Sequence, residues 1–404
     1  MSEIFLIKIS GEDKPGIMHH ITSILADYEV RILDIGQAAV HDTLSLALII
    51  EVPARYGMAP ILKDLLYGAN EMGVKLKFVP VPLERHEAWV AAQGRKRHIV
   101  TLLAREIGAD MIARVSGTLN ANGLNIDSVS RLSGRISLAN PPRTGRACVE
   151  FTVRGEATDS EALRSSFMAI SQELGLDIAF QEDNVYRRNR RLIAFDMDST
   201  LIQAEVIDEL ARRAGVVDEV SRITEAAMRG ELDFKGSLIR RVSLLRGLPA
   251  TVLEEVARAI PMTEGAERLV GNLKKLGYKV AILSGGFTYF GARLKEHLGV
   301  DYVYANELEI QDGLLTGRVT GEIVDGARKA ALLEEIARRE GIDLQQAVAV
   351  GDGANDLPML GKAGLGIAFH AKPIVKKGAK QAISTMGLDG ILYLLGLRDR
   401  EALE

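Results

Sequence analysis

Asp196 and Asp198 stand two residues apart behind the apolar run Leu192-Ile193-Ala194-Phe195. Such a run reads as a buried strand, and acids at its end cost solvation unless a cation or a substrate compensates them. The situation returns where Ala347-Val348-Ala349-Val350 leads into Gly351-Asp352-Gly353-Ala354-Asn355-Asp356. Between the two lie Ser284-Gly285-Gly286, again behind an apolar run, and a candidate cation, Lys329. Strand-end acids, a Ser-Gly-Gly turn and one lysine, in this order, are the parts of a magnesium-dependent phosphoryl-transfer site.

Phosphate monoester hydrolysis needs accelerations of up to ~10²¹-fold. It calls for a nucleophile, a proton donor to the leaving oxygen and cations on the phosphoryl oxygens. Asp196 can form an aspartyl-phosphate. Asp198 can protonate the leaving oxygen and then deprotonate the attacking water. Asp196, Asp352 and the backbone carbonyl of Asp198 are the oxygen donors that octahedral Mg²⁺ favours. Ser284 and the amides of Gly285 and Gly286 can cradle phosphoryl oxygens, with Asn355 as a further substrate contact. Lys329 can neutralise the phosphoryl charge. A calcium loop starting at Asp196 fails on detail, because Leu201 replaces the required Gly and Ile207 the bidentate Glu.

This quartet resembles the haloacid dehalogenase-like superfamily over residues 192 to about 392, and the resemblance is what selects Lys329, since spacing alone reads it as a surface lysine. The second aspartate points to phosphatase rather than dehalogenase chemistry. Glu205, Met228, Phe234 and Arg241, with Thr263-Glu264-Gly265-Ala266, resemble the cap of the phosphoserine phosphatase family. That resemblance implies that Arg241 holds a substrate carboxylate, Glu205 an ammonium, and that Met228 and Phe234 cover the site. It implies hydrolysis of O-phosphoserine to serine and phosphate, the last step of serine synthesis. Phosphohomoserine is the alternative substrate. A non-catalytic amino-acid sensor is the alternative class, disfavoured because every catalytic position holds the needed residue type.

The elements that must position these groups follow. Leu192–Phe195, Lys279–Leu283, Tyr302–Ala305 and Ala347–Val350 alternate with helical segments. They predict a doubly wound, Rossmann-like α/β domain over 192–404 with its ligand at the carboxyl ends of the strands. Residues 205–263 read as a helical cap. Upstream, 1–82 reads as strand, helix, strand, strand, helix, strand. Residues 95–182 repeat it: shifted by 94 positions, Ile21 falls on Val115, Leu25 on Leu119 and Ile35 on Val129. This ferredoxin-like βαββαβ plan, with Asp13-Lys14-Pro15-Gly16 between first strand and helix, resembles the ACT domain, which implies tandem amino-acid-sensing modules. Free serine is the expected ligand at Asp13 and Gly16, with Gly108 playing the same part in the second copy. Pairing of such modules implies a homodimer.

Pro82–Lys96 and Asp183–Arg191 read as linkers, and Arg187, Arg188, Arg190 and Arg191 as solvated. The 50 basic residues against 54 acidic ones give a net charge of −4, which argues against nucleic-acid binding. The lone Cys148 cannot form an internal disulfide and suits a reducing compartment; its alternating apolar context makes it a core residue. The N-terminus lacks the basic region of a signal peptide, and no apolar run approaches the ~20 residues of a membrane span. The expectation is a cytoplasmic protein.

Overall fold

The computed structural model describes residues 3–94, 96–140, 145–229 and 231–402, and of Met228 the backbone alone. The chain divides into two compact units, 1–95 and 96–404.

The first unit holds four antiparallel strands: β1 (Glu3–Glu12), β2 (Arg31–Val40), β3 (Thr43–Val52) and β4 (Lys75–Pro80), in the order β2-β3-β1-β4. Strict alternation along β3 sends Leu44, Leu46, Leu48, Ile50 and Val52 to one face, as the two-residue period of a strand requires. Two helices, Ile17–Asp27 and Met58–Met72, cover that face with Ile17, Ile21, Leu25, Ile61 and Leu65. Gly16 caps the first helix at φ 95°, a left-handed conformation that side chains resist. An added Cβ there would meet only Met72 Cε at 4.0 Å, so the glycine answers to backbone angle rather than to crowding. The segment expected to be a plain linker instead forms the helix Leu83–Ala91, entered through Pro82 and carrying Glu84 in its first turn.

The second unit begins with the same plan: β5 (Arg97–Ala104), β6 (Asn125–Arg131), β7 (Ala147–Arg154) and β8 (Asp177–Glu182), ordered β6-β7-β5-β8 and covered by helices Ala109–Ala121 and Ser160–Leu174. Cys148 is fully buried in β7. The matching glycine differs from Gly16: Gly108 is extended, at φ −89° and ψ 165°.

A seven-stranded sheet follows, ordered β12-β11-β10-β9-β13-β14-β15. Its strands are β9 (Leu192–Phe195), β10 (Lys279–Phe287), β11 (Tyr302–Gln311), β12 (Leu314–Thr320), β13 (Ala347–Gly351), β14 (Leu365–Phe369) and β15 (Gln381–Ile383). All pairings are parallel except the β11–β12 hairpin. β9 and β13 are buried at every position, as central strands covered on both faces must be. Five helices, Val206–Ala214, Val217–Met228, Phe234–Ser243, Thr251–Ala259 and Ala266–Lys275, lie between β9 and β10. Among the described residues no helix is long and apolar enough to cross a membrane.

Side chains stitch the four-stranded sheet to the seven-stranded one. The Gln381 amide accepts from Phe180 N–H at 3.0 Å and donates to Phe180 C=O at 2.7 Å, acting as a short strand against β8. Asp177 accepts from Ser384 N–H, Thr385 N–H and the Thr385 hydroxyl. Arg105 grips Glu264 through two 2.7 Å bonds. The arginine-rich stretch before β9 also departs from expectation, because Arg187 and Arg190 are buried rather than solvated. Arg187 pairs with Glu150, and Arg190 donates to Gln345 C=O; distant partners make their burial tolerable.

Candidate active site

The carboxyl edge of the central strands gathers the acids. Asp196, 5 % exposed, follows β9 and is fixed by its own N–H donating to Val350 C=O at 2.9 Å. Lys329, fully buried on helix Gly326–Glu340, reaches Asp196 Oδ1 at 2.9 Å and Asp356 Oδ1 at 2.7 Å. Burial alone would lower its pKa, but the Asp196 and Asp356 charges override this and raise it. Lys329 therefore stays an ammonium. Asp356 is held a second time by Gly353 N–H at 3.0 Å. Carboxylate oxygens of Asp196, Asp352 and Asp356 lie within 4.8 Å of one another. Burial first, then Asp196, pushes both Asp352 and Asp356 up to about 7. One lysine does not offset three clustered carboxylates, and a hard divalent cation held by their oxygens would supply the missing positive charge.

Asp198 sits differently. It is 9 % exposed, and its Oδ1 is buried without a hydrogen-bond partner among the described residues. Burial, then Glu205 and Asp196, drives its pKa well above the carboxylate range. A carboxyl group so placed holds its proton to higher pH and has the character a general acid needs. Ser199 follows in left-handed backbone at φ 54° and donates to Glu205 Oε1 at 2.8 Å. Thr200 reaches Asp352 at 3.4 Å.

Ser284-Gly285-Gly286 forms an irregularity where β10 shifts register against β11 between Leu283 and Phe287. Ser284 Oγ accepts Gly286 N–H at 2.9 Å, so that amide is engaged within the turn while the hydroxyl proton remains available. A Cβ on Gly286 would lie 2.9 Å from Asp198 Oδ2, and one on Gly285 would lie 2.8 Å from the Phe234 ring. The glycines thus let the turn approach Asp198 on one side and let Phe234 lie over it on the other. Asn306 ties the turn down, donating to Gly285 C=O at 2.8 Å and accepting from Val324 N–H at 2.9 Å.

The cap side is built from Glu205, Asp208 and Arg241. Arg241 lies on the helix Phe234–Ser243, and its Nε is buried without a partner among the described residues. Burial lowers its pKa, opposed by the charges of Asp208, Glu205 and Asp198. Glu205 is exposed, yet lost hydration raises its pKa, the Ser199 hydrogen bond opposing.

The protein-family comparison matches residues 193–361 to haloacid dehalogenase-like hydrolases, and 3–79 and 96–181 to ACT domains. Phosphoserine phosphatase of Streptomyces coelicolor is 43 % identical over 98 % of this chain and 93 % of its own. The chain belongs to the phosphoserine phosphatase family. Phosphoserine phosphatase SerB2 of Mycobacterium tuberculosis is 40 % identical over 97 % of this chain and 93 % of its own. Among solved structures, a probable phosphoserine phosphatase of Vibrio cholerae aligns at TM-score 0.59 and 37 % identity, over 74 % of this chain and 86 % of its own. A HAD-family hydrolase of Salmonella enterica aligns at TM-score 0.64 and 32 % identity, over 74 % and 98 %.

Within this phosphoserine phosphatase fold, Asp196, Asp198, Lys329, Asp352, Ser284, Gly285 and Gly286 gather at one sheet edge. Phe234 covers the turn. The Met228 side chain lies outside the described residues. Asn355 folds back over its own loop: a Cβ on Gly353 would lie 2.2 Å from its Oδ1, and its backbone backs onto Gly326, at the start of the lysine helix. Sequence reasoning passed over three residues. Asp356 stood in the noted run, but its meeting with Lys329 is tertiary. Asn306 directly follows the apolar stretch Tyr302–Ala305 but lies inside β11 rather than at its end. Asp208 lies one helical turn beyond Glu205.

Asp13 and Gly16 belong to the first unit, where Asp13 is exposed and its N–H donates to Asp42 C=O at 2.7 Å. Gly108 does not share the Gly16 conformation, and the two turns are not equivalent frames for a ligand.

Proposed function

We propose that the chain hydrolyses O-phosphoserine to serine and phosphate with Mg²⁺, through a phosphoryl group carried on Asp196, as the last step of serine formation. The observation that carries this reading is the split between two aspartates two residues apart. Asp196 is held by an ammonium, and Asp198 is buried with a free oxygen and a raised pKa. Asp196 attacks phosphorus while Lys329 offsets the repulsion between carboxylate and phosphate. Asp198 gives its proton to the departing serine oxygen and then takes one from water. Ser284 donates to a phosphoryl oxygen, and Arg241 pairs with the carboxylate in a planar grip while Glu205 faces the ammonium. Asp196, Asp352 and the backbone carbonyl of Asp198 are the oxygen donors that would hold a magnesium ion, and Asp356, already bonded to Lys329 and Gly353 N–H, adds its charge beside them. The ion, when bound, neutralises phosphoryl charge.

The test is phosphate release by the full chain from O-phosphoserine, phosphohomoserine and phosphoethanolamine, with and without Mg²⁺. Metal-dependent turnover led by O-phosphoserine is expected. Equal rates on all three, or no turnover of any, contradict the reading.

The same proposal extends to regulation: free serine bound at the Asp13–Gly16 turn lowers activity, coupled by about 1–3 kcal/mol. A helix N-terminus at a left-handed glycine supports it. Serine inhibition that is unchanged by Asp13→Lys contradicts it. A homodimer is favoured by β2, an edge strand on which only Leu33 is even half-buried and Ile32, Ile35 and Val40 are exposed. A cytoplasmic location rests on the unpaired Cys148.

A further inference from the structure

A cleft of about 780 Å³ opens between the helix Ser160–Leu174 and the segment leading into and out of β15. None of its lining residues belongs to the catalytic cleft. Its floor is apolar, from Phe167, Met168, Ile178, Phe180, Ala379 and Ala382. Its rim is cationic, from Arg164, Lys376 and Lys377, and none of these three has an ion-pair partner among the described residues. A fourth cation, Lys380, also lines it and donates to Ala363 C=O at 2.8 Å.

The acids at the cleft do not balance these charges. Asp177 is turned inward and already accepts from Ser384 and Thr385. That leaves Glu161 alone against the unpaired cations. Ser384 Oγ, in the same wall, is buried without a hydrogen-bond partner among the described residues. The cleft sits on the seam that Gln381 and Phe180 close, so a molecule within it touches both sheets' covering elements at once.

We propose that this cleft binds an organic anion: an apolar body the size of one or two rings carrying a phosphate, sulfonate or carboxylate. The volume lies within the usual ~300–1,000 Å³ of ligand pockets. The floor takes the body. The rim, whose unpaired charges focus the field over a low-dielectric wall, takes the acid group. Such a ligand locks the second ACT domain onto the phosphatase sheet and raises its thermal stability by mass action.

Two probes separate the sources of this chemistry: adenosine monophosphate, a phosphate on a nucleoside, and 8-anilinonaphthalene-1-sulfonate, a sulfonate on bare rings. Each is titrated onto the full chain in metal-free buffer by calorimetry, in the presence of excess O-phosphoserine to occupy the catalytic cleft. The proposal expects one-to-one binding of at least one probe and a higher melting temperature. It expects affinity to fall about tenfold or more in Arg164→Glu and in the Lys376→Glu, Lys377→Glu pair. All three residues are at least partly exposed, and phosphoserine turnover should survive. Adenosine monophosphate binding marks a nucleotide site, and sulfonate binding alone an aryl or acyl acid site. Absence of saturable binding by both probes overturns the proposal, as does binding indifferent to both sets of substitutions.

Discussion

The sheet-edge half of the site and the cap half each set carboxylates around one cation, with opposite results. At the sheet edge Lys329 is fully buried and bonded to Asp196 and Asp356. The carboxylates are immobilised, and the surplus negative charge calls for a metal. On the cap side Arg241 touches no carboxylate closely enough for an ion pair among the described residues, and its Nε is unpartnered. Asp198 and Glu205, without a close cation, are raised by lost hydration. The committed cation fits the nucleophile proposed at Asp196, and the uncommitted one fits the substrate carboxylate proposed for Arg241. Asp196 and Asp198 fall on opposite sides of that divide although they are two residues apart.

The strongest way to break this contrast is Asp196→Asn. Loss of the covalent route should lower turnover below about a hundredth of the parent while the fold persists, because the lost step is not replaced by general acid–base help alone. Circular dichroism and phosphate release check both halves of that statement. Asp198→Asn should cost ~10²–10⁴ in kcat, the usual worth of a positioned acid–base group. If the two substitutions gave the same small loss, the division of labour would collapse.

On the cap side, Arg241→Ala should raise KM for O-phosphoserine by about 10²-fold, in line with truncating one partner of a desolvated charge pair. It should also erase the preference over phosphoethanolamine, which lacks the carboxylate. Comparing kcat/KM on the two substrates decides it, and a preference that survives intact removes Arg241 from the carboxylate.

The smallest effect expected concerns pH and metal. Asp352 and Asp356 reach about 7 in the folded chain, against an ordinary value of 3.8. Between those limits the folded chain holds protons that the unfolded chain has lost. The metal-free protein is therefore stabilised at low pH and loses that stability as pH rises from about 4 to about 7. Magnesium should raise the melting temperature more at pH 8 than at pH 5, since the carboxylates proposed to hold it are free of protons at the higher value. Thermal melts at both values, with and without the ion, measure the difference; an equal shift at both contradicts it.

Much of this was readable from the chain because buried strands leave continuous apolar runs: β9 and β13 show them, and the acids directly behind are conspicuous. Other parts were not, for tertiary reasons. Lys329 looks like a surface lysine until the fold brings it to Asp356, 27 residues on. Arg187 and Arg190 read as solvated because Glu150 and the Gln345 carbonyl, which make their burial affordable, lie far off in sequence. Gly16 and Gly108 occupy matching turns, yet a letter does not state its φ. β12 and β15 are too short, or too polar at their ends, to stand out as strands.

Trapping the phosphorylated carboxylate probes the division between the two aspartates at its root. The full chain is mixed with O-phosphoserine and Mg²⁺, quenched within a turnover and reduced with borohydride, which converts an aspartyl-phosphate to homoserine. Peptide mass spectrometry should then find homoserine at position 196 and intact aspartate at position 198. Homoserine at position 198, or an unmodified Asp196 in a sample that has released serine, would contradict the assignment of the nucleophile.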